Sequence, residues 1–406
     1  MRYSIGHSPG VVLSGGTGFL GGELLARLLE RDDRTVYVLV RAEGQAAARQ
    51  RVRASLAELT GDPKRWAGRV VAVPADLTRD GLGLSRPQLE WLSERAEWVI
   101  HCAASVSFTL GLAESREINV EGTRRMLDLA ELAHERGVLQ CFSHVSTAYV
   151  AGTHTGAFSE RDLDLDQDHR NPYERTKLEA EVEVRARAGS LPVQVFRPSI
   201  VVGDSRTGWT PAFNVLYWPF RVFARGNYPA LPATRTSPVD VVPVDYVADA
   251  LLALGGRPGT TFHLTAADRA SSLDDLVTMA CDRLDRRRPR LLSPAFYRRF
   301  LHPVLVRTGS ERRRRALRSS EPFFPYFSMD TTYDDSGARA ALAPSGIEPP
   351  ALPAYFDRLI EYALRAEWGR RPVPRHHLLA PSRPRAQHRE GRVHRPPTRE
   401  QPVVRR

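Results

Sequence analysis

The sequence predicts an α/β fold in which a doubly wound parallel sheet is followed by a smaller, mostly helical C-terminal domain and a disordered basic tail. Three observations support this prediction. Short apolar runs of strand length recur from residue 10 to about 205, amphipathic helical segments separate them, and a glycine-rich loop directly follows the first run. Repeated strand–helix–strand units build a parallel sheet that binds ligands at the carboxyl ends of its strands.

Six strands are predicted for this sheet, each a continuous apolar or β-branched run. Such runs are typical of strands that are covered on both faces. They are VVLSG (11–15), VYVLV (36–40), VVAVPA (70–75), WVIHCAA (98–104), LQCFSHVS (139–146) and VQVFRPS (193–199). Between them lie amphipathic helices, for example over 20–30 and 115–136.

The pattern changes after residue 205 to sequence that is rich in aromatic residues and proline. A helical stretch, VDYVADALLALGG, and one further strand, TFHLT, follow it. We therefore expect a first domain over 8–205, to which residues 238–265 return. Residues 206–365 are predicted to form a substrate-binding region.

The basic charge of the chain is concentrated at its C-terminus. Of a formal net charge of +11, residues 366–406 carry +8, from 11 arginines and three glutamates. This segment has almost no apolar periodicity, so we predict an Arg/Pro-rich disordered tail over 366–406. Since the remaining chain carries only about +3, we expect no nucleic-acid partner. A tail that contacts anionic membranes or RNA is the alternative.

The cysteines and the N-terminus bear on the compartment. Cys102, Cys141 and Cys281 are widely spaced and form no C-x-x-C pair, which argues against a disulfide framework or a metal site. The first ten residues lack the apolar core of a signal peptide, and no stretch approaches the ~20 apolar residues of a membrane span. We expect a cytoplasmic protein without a bound metal.

The glycine-rich loop LSGGTGFLGGELL follows the first strand and opens a helix. Gly15, Gly18 and Gly21 match the pattern G-x-x-G-x-x-G. Glycines let the backbone turn sharply and approach a pyrophosphate, whose charge a helix N-terminus favours. The context predicts a Rossmann-type NAD(P)-binding domain, and a tight turn without a ligand is the alternative.

The residue that follows the second strand indicates which dinucleotide is bound. An acidic residue at this position would bind the ribose hydroxyls of NAD, but this chain has Arg41. An arginine can pair with the 2′-phosphate of NADP. The sequence therefore favours NADPH over NADH, although a surface arginine is an ordinary finding in so arginine-rich a chain.

Tyr173 and Lys177 form the most informative pair in the sequence. The chain has only two lysines, Lys64 and Lys177, among its 58 basic residues. Side chains four residues apart on a helix share one face. A tyrosine is a poor acid–base group at neutral pH unless a neighbouring cation favours its phenolate, and a compact ammonium can also bond ribose hydroxyls. The spacing predicts a catalytic pair.

The motifs together resemble the extended short-chain dehydrogenase/reductase superfamily from about residue 10 to residue 265. The matching stretches are SGGTGFLG (14–21), Asp76-Leu77, HCAAS (101–105), Asn119 in NVEGT, HVSTAYV (144–150), YERTK and RPSIVVGD (197–204). Within the superfamily, FLGGELLARLL, VSTAYV and FRPSIVVGD are most similar to the acyl-thioester reductase branch, which includes fatty acyl-CoA reductases (the male-sterility type).

This resemblance implies roles for individual residues. Tyr173 would be the proton donor, Lys177 its pKa partner, and Thr147 or the adjacent Ser146 the hydroxyl that polarises the carbonyl, with Asn119 also counted among the catalytic residues. A hydroxyl that caps the next turn is the alternative for Thr147 and Ser146. The cofactor-binding residues would be Gly15, Thr17, Gly18, Phe19, Leu20, Gly21, Asp76, Leu77, Ala103, Ala104, Lys177, Pro198 and Ser199, in addition to Arg41.

Three hypotheses follow for the function. The first is an NADPH-dependent reductase of a long-chain acyl thioester, bound to CoA or to an acyl carrier protein, that forms an aldehyde or alcohol. The second is an epimerase or a 3β-hydroxysteroid-type dehydrogenase on the same scaffold, and the third is a nonenzymatic NADP-binding sensor. The aromatic segment 209–231 suits an apolar acyl or steroid pocket, although packing between domains would explain it equally well.

Residues 296–318 combine apolar side chains with a dense arginine cluster. A solvated helix face is one interpretation. The others are a site for the phosphates of CoA or of a carrier arm, and peripheral contact with a membrane surface.

Overall fold

Seven parallel strands form the central sheet of the computed structural model, which describes residues 8–213, 216–225, 230–308, 311, 314 and 321–379. In chain order they are β1 (Gly10–Ser14), β2 (Val36–Val40), β3 (Val70–Pro74), β4 (Ala96–His101), β5 (Cys141–Val145), β6 (Val193–Pro198) and β7 (Thr261–Leu264). Their order across the sheet is β7-β6-β5-β4-β1-β2-β3. The predicted doubly wound parallel sheet is confirmed.

Helices cover both faces of this sheet. The longer ones are α1 (Phe19–Arg31), α2 (Gln45–Thr60), α3 (Arg86–Ser93), α4 (Gly122–Glu135), α5 (Pro172–Ala186), α6 (Tyr217–Ala224), α7 (Val244–Leu254), α8 (Leu273–Leu284), α9 (Ser336–Leu342) and α10 (Phe356–Arg365). Apolar side chains of α1, α2 and α7 pack on one face. Those of α3 and α4 pack on the other, together with Val184 of α5. The apolar runs of the strands are therefore buried on both sides, as their sequence predicts.

Shorter elements connect and extend this framework. Helical turns span Pro63–Trp66, Asp80–Gly83, Leu112–Arg116, Ala148–Ala151, Ala267–Arg269, Pro294–Phe296, His302–Thr308, Glu321–Ser328, Ala343–Ser345, Leu352–Ala354, Glu367–Gly369 and His376–Leu379. Short strands pair Gly156–Phe158 with Thr331–Tyr333, Ile200–Val202 with Val241–Pro243, Ala230–Pro232 with Arg290–Leu292, and Pro238–Val239 with Ser271–Ser272. The sequence predicted one strand after residue 205, whereas the structure has several more. These short strands were missed because each has only two or three residues.

A second apolar core lies in the C-terminal part of the chain. Side chains of α6, α8 and α10 meet there, including Phe220, Leu276 and Phe356. The first predicted domain (8–205) contributes to this core as well, since Val202 belongs to the same cluster. β7 returns to the main sheet beside β6, with Phe262 opposite Phe196.

The helix predicted over 115–136 differs from the structure. The chain is helical from Leu112, but the turn Glu117–Glu121 is a wider π-type turn before α4 begins. Such turns accommodate an extra residue within a helix and often occur at functional sites. Here the wide turn contains Asn119, whose side chain is buried.

The predicted tail begins too early. Residues 366–379 are ordered against the first domain: the indole of Trp209 donates to the carbonyl of Val373, and Arg375 forms ion pairs with the buried carboxylates of Glu23 and Asp204. Disorder was predicted because the segment is rich in Arg and Pro and has almost no apolar periodicity. That pattern could not reveal the partners of Arg375, which lie far from it in sequence. Residues 380–406 lie outside the described part of the chain.

Within the described ranges, no helix is long and apolar enough to cross a membrane.

Candidate active site

A cleft of about 710 Å³ opens along the carboxyl edge of the sheet. Its walls are the glycine-rich loop after β1, the residues that follow β2 to β6, and one face of α5. All the predicted site residues line this cleft except Asn119. The sheet topology brings them together because the carboxyl ends of parallel strands share one edge.

The glycine-rich loop has the shape that a dinucleotide requires. Gly15 has a φ of +75°, and a Cβ there would lie 2.8 Å from the backbone nitrogen of Ala103. A Cβ on Gly21 would clash with the carbonyl oxygen of Gly15. No side chain caps α1, and its first turn has no acidic residue. The helix N-terminus is therefore open to the negative charge of a pyrophosphate, so these residues fit the predicted cofactor.

Two arginines line the cleft beside the end of β2. Arg41 follows β2, and Arg51 reaches the same wall from α2, where its guanidinium donates to the carbonyl of Arg41. Burial opposes ionisation of Asp76, but hydrogen bonds from Thr78 and the charge of Arg41 hold the pKa of Asp76 below its usual value. Sequence reasoning missed Arg51, because nothing distinguishes it from the other arginines of α2.

Helix α5 carries Tyr173 and Lys177 into the cleft on successive turns. Asn171 begins the helix by accepting a hydrogen bond from the backbone of Glu174 at 3.0 Å. Lys177 is only 2% exposed, and its Nζ donates to the carbonyl of Val145 at 2.8 Å. Both residues line the cleft. The predicted pair thus shares one helix face at the point where β5 ends.

Burial changes the proton affinities of this pair in opposite directions. It lowers the pKa of Lys177 to about 8 and raises the pKa of Tyr173 to about 12. A hydrogen bond with Thr147 acts against burial on the pKa of Tyr173. The phenol is therefore protonated at neutral pH, as a proton donor must be. The Nζ of Lys177 contacts the Val145 carbonyl and His144.

The two hydroxyls after β5 have different environments. Ser146 donates to Glu181 at 2.7 Å, and this fully buried carboxylate forms an ion pair with Arg197. Thr147 caps the following turn by accepting from the backbone of Tyr149. It also bonds Tyr173. The Thr147 hydroxyl also donates to the carbonyl of Pro198 at 3.3 Å. Thr147 is therefore the hydroxyl next to the phenol, whereas the hydroxyl of Ser146 donates to the carboxylate of the buried Glu181–Arg197 ion pair.

Asn119 does not reach the cleft. Its amide accepts from the backbone nitrogen of Ser105 at 2.7 Å and donates to the carbonyl of the same residue and to Thr176. These bonds join the loop after β4 to α5. Asn119 thus positions the cleft wall and the helix that bears Tyr173, and the expectation that it belongs to the reacting groups is not supported by its place in the structure.

Two buried histidines lie beneath Lys177, and sequence reasoning missed both. His144 Nε2 lies 3.4 Å from Lys177 Nζ, and the ring of His101 lies beside that of His144. The Thr123 hydroxyl donates to the carbonyl of Asn119, so it must accept from His101 Nε2. Burial lowers the pKa of His101 to about 3, so this ring is neutral. Both histidines lie within apolar strand runs, where a single polar residue gives no clear signal.

An apolar pocket adjoins the cleft, with which it shares Tyr149, Ile200 and Tyr326. Its other walls come from α6, α8 and the segment Glu321–Ser328, and its cavity volume is about 70 Å³. This is about half the volume of a cavity that binds benzene. The aromatic segment after residue 205 therefore lines a pocket as well as the second core.

Hydrogen bonds hold the segment Glu321–Ser328 beside Tyr173 and Lys177. The Tyr326 hydroxyl donates to Glu174 at 2.5 Å and accepts from Asn171 at 2.6 Å. The ring of Phe108 stacks between Tyr173 and Tyr326, with centroid distances of 5.9 and 5.3 Å. Tyr326 thus stands at the boundary between the cleft and the apolar pocket.

Comparison with known proteins agrees with this geometry. Residues 13–251, more than half of the chain, match the model of an NAD-binding family described as male sterility protein. The chain belongs to this family. The predicted resemblance to extended short-chain dehydrogenases/reductases of the thioester-reductase branch is confirmed. So is the predicted enzyme class at the level of the family, an NAD(P)H-dependent oxidoreductase.

Members and structural neighbours of the family extend the comparison. Fatty acyl-CoA reductase 1 of Xenopus laevis is 30% identical over 285 residues, which are 61% of this chain and 55% of that protein. The chain therefore spans about half the length of this curated relative. The terminal R domain of the myxalamid PKS-NRPS pathway has a TM-score of 0.76 and 26% identity, over 91% of this chain and 94% of that domain.

A more distant neighbour shares only the fold. UDP-glucuronic acid 4-epimerase from Bacillus cereus, solved in complex with NAD, has a TM-score of 0.59 and 18% identity over 86% of this chain and 96% of that one. The reductase domain is thus the more similar of the two in both structure and sequence.

Proposed function

We propose that this chain is an NADPH-dependent reductase of acyl thioesters. The observation that carries the proposal is the meeting of Tyr173, Lys177 and Thr147 at the boundary between a dinucleotide cleft and an apolar pocket. Membership of a family whose relatives include fatty acyl-CoA reductases supports it. The thiol carrier is CoA or a carrier protein.

The reaction uses the residues around the substrate carbonyl. Thr147 and Tyr173 donate hydrogen bonds to the oxygen on which negative charge develops. Tyr173 transfers its proton to that oxygen as a general acid. NADPH, when bound, supplies the hydride that the carbonyl carbon receives. Departure of the thiol yields an aldehyde, and a second reduction would yield the alcohol.

The neighbourhood of the pair supports these roles. The pKa of about 12 keeps the Tyr173 phenol protonated until the substrate oxygen gains charge. Lys177 is held by the Val145 carbonyl and by His144, which leaves its third N–H to bond a ribose hydroxyl. Tyr326 and Phe108 enclose the phenol with aromatic surface, which limits the access of water.

The acyl chain would occupy the apolar pocket. Its wall includes Phe220 and Phe223 of α6 and Val277 and Ala280 of α8. Because the cavity is only about 70 Å³ in this structure, a long chain requires the aromatic side chains of Glu321–Ser328 to move aside. This requirement is a part of the proposal, and the free energy gained per buried methylene, about 0.8 kcal/mol, favours it.

The value of kcat/KM should rise with chain length until the pocket is filled. The test is NADPH oxidation with a series of acyl thioesters, with products identified by mass spectrometry. Ala280→Phe should shorten the chain that is preferred, because Ala280 is buried in the pocket wall. Thr278→Phe, on the exposed side of the same helix, is the control and should leave the preference unchanged. Turnover of a sugar nucleotide or hydroxysteroid, with none of any acyl thioester, would replace the proposal by the second hypothesis.

The preference for NADPH should depend on Arg41. Arg41→Asp places a carboxylate where it repels a 2′-phosphate and can accept from ribose hydroxyls. We expect NADPH to bind at least about tenfold more weakly and NADH to bind more tightly, as measured by titration of both cofactors by fluorescence. Arg49→Asp removes an exposed arginine of α2 that does not line the cleft and serves as control. Unchanged NADPH affinity in Arg41→Asp would show that Arg41 is not involved.

A further inference from the structure

A surface helix at 294–308 carries two apolar stripes. It consists of Pro294–Phe296, Tyr297–Leu301 and His302–Thr308, which follow one another without a break. One stripe, formed by Tyr297, Leu301 and Leu305, packs against Phe324 and Phe327. The other, formed by Phe296, Phe300 and Val304, faces solvent. A surface helix of a globular protein needs only the first.

The second stripe is strongly exposed. Phe296, Phe300 and Val304 are 51%, 55% and 53% exposed, and they follow one another at intervals of four residues. The rings of Phe296 and Phe300 touch, with centroids 5.2 Å apart. Of the large apolar side chains that the structure describes as exposed, the others are scattered over the chain: Val106, Leu165, Val182, Leu364 and Leu379. A contiguous apolar patch, unlike single exposed side chains, marks an interaction site.

The sequence on both sides of this stripe is rich in arginine. Between Asp282 and Glu321 the sequence has 13 arginines and four acidic residues. Arg299 and Arg307 are exposed on the helix itself, and Arg287 and Arg290 are exposed just before it. Phenylalanines on one side and arginines around them are typical of helices that lie in a membrane interface, where anionic headgroups attract the arginines.

The helix also lies against the wall of the apolar pocket. Its buried stripe contacts Phe327, which lines the pocket, and Phe324, which neighbours it in the segment Glu321–Ser328. The same segment contains Tyr326, at the boundary with the cleft. The segment Glu321–Ser328 therefore contacts both the pocket and the surface helix.

We propose that the exposed stripe of the surface helix docks the protein on an anionic lipid surface. Phe296, Phe300 and Val304 enter the apolar boundary of the bilayer, and the arginines around them contact the lipid phosphates. Docking there places the pocket wall next to the phase in which apolar acyl chains reside. The docking itself rests on the helix and its charge, and it is independent of the proposed reductase activity.

Vesicle binding tests the proposal without substrate or cofactor. Full-length protein is sedimented with vesicles of phosphatidylcholine alone, or of phosphatidylcholine with phosphatidylglycerol. We expect binding to the anionic vesicles only. The triple variant Phe296→Ser, Phe300→Ser, Val304→Ser should bind them at least about tenfold more weakly. The control variant Leu165→Ser, Val182→Ser, Leu364→Ser, which removes three exposed apolar side chains elsewhere, should bind like the wild type.

Three results would overturn the proposal. One is wild-type protein that does not sediment with anionic vesicles. Another is equal binding of the wild type and the helix triple variant, which would assign any lipid binding to other basic segments such as residues 380–406. The third is a wild-type dimer in solution that the triple variant converts to monomer, which would make the stripe an interface between two copies. Thermal unfolding of both triple variants verifies that they are folded.

Discussion

Lys177→Arg should lower kcat at least tenfold while the protein stays folded. Lys177 is buried in the cleft wall, and its Nζ contacts the Val145 carbonyl and His144. A planar guanidinium is larger, and its donors point in fixed directions. It cannot keep these contacts and also bond the ribose hydroxyls, so the loss should appear for every substrate.

The chain offers a matched control for this substitution. Lys64, the other lysine, is exposed in the turn Pro63–Trp66. Lys64→Arg makes the same chemical change far from the cleft and should retain wild-type kcat. Steady-state kinetics and thermal unfolding of both variants decide the matter. If Lys177→Arg kept more than about a tenth of the wild-type kcat, a loss below about 1.4 kcal/mol, the assigned role of Lys177 would be wrong.

Thr147→Val should reduce kcat by about 10² to 10³ on all acyl thioesters. Removing one hydrogen-bond donor to a developing oxyanion typically costs this much. Valine has nearly the shape of threonine but cannot donate to the carbonyl oxygen or bond Tyr173. The cap on Tyr149 is lost as well, which should lower the free energy of unfolding by about 0.5–2 kcal/mol.

Rescue separates the two effects of this change. Thr147→Ser keeps the hydroxyl and should recover most of kcat. Thr153→Val, at an exposed threonine, is the control for the loss of a hydroxyl without a role in the cleft. A Thr147→Val enzyme whose kcat equals that of the wild type, with only its stability lowered, would show that Thr147 is merely a cap. That outcome would leave Tyr173 as the main donor to the carbonyl.

Local sequence patterns were sufficient for most of the fold. Each of the six predicted strands is present within three residues of its expected ends, because continuous apolar runs can be buried only inside a covered sheet. The glycines of the loop and the four-residue spacing of Tyr173 and Lys177 also act locally, through backbone turns and one helix face. These features placed the cleft and the Tyr173–Lys177 pair from sequence alone.

Hydrogen bonds and ion pairs between residues far apart in sequence became visible only in the tertiary structure. The ion pair that holds Ser146, the bonds that keep Asn119 out of the cleft, and the arrival of Arg51 beside Arg41 each depend on which elements the sheet order brings together. The same is true of Arg375, whose buried partners Glu23 and Asp204 lie far from it in sequence and fix residues that composition had assigned to a tail.

What the sequence determined by itself was therefore the backbone framework and the position of the Tyr173–Lys177 pair on α5. Only the tertiary structure decided which polar side chains face the cleft and which form hydrogen bonds or ion pairs that support its walls. It alone also distinguished the buried apolar stripe of helix 294–308 from the exposed one. The physical reason is that periodicity reports burial relative to an element's own axis. Hydrogen-bond and ion-pair partners are set by the packing of elements that the chain separates by tens to hundreds of residues.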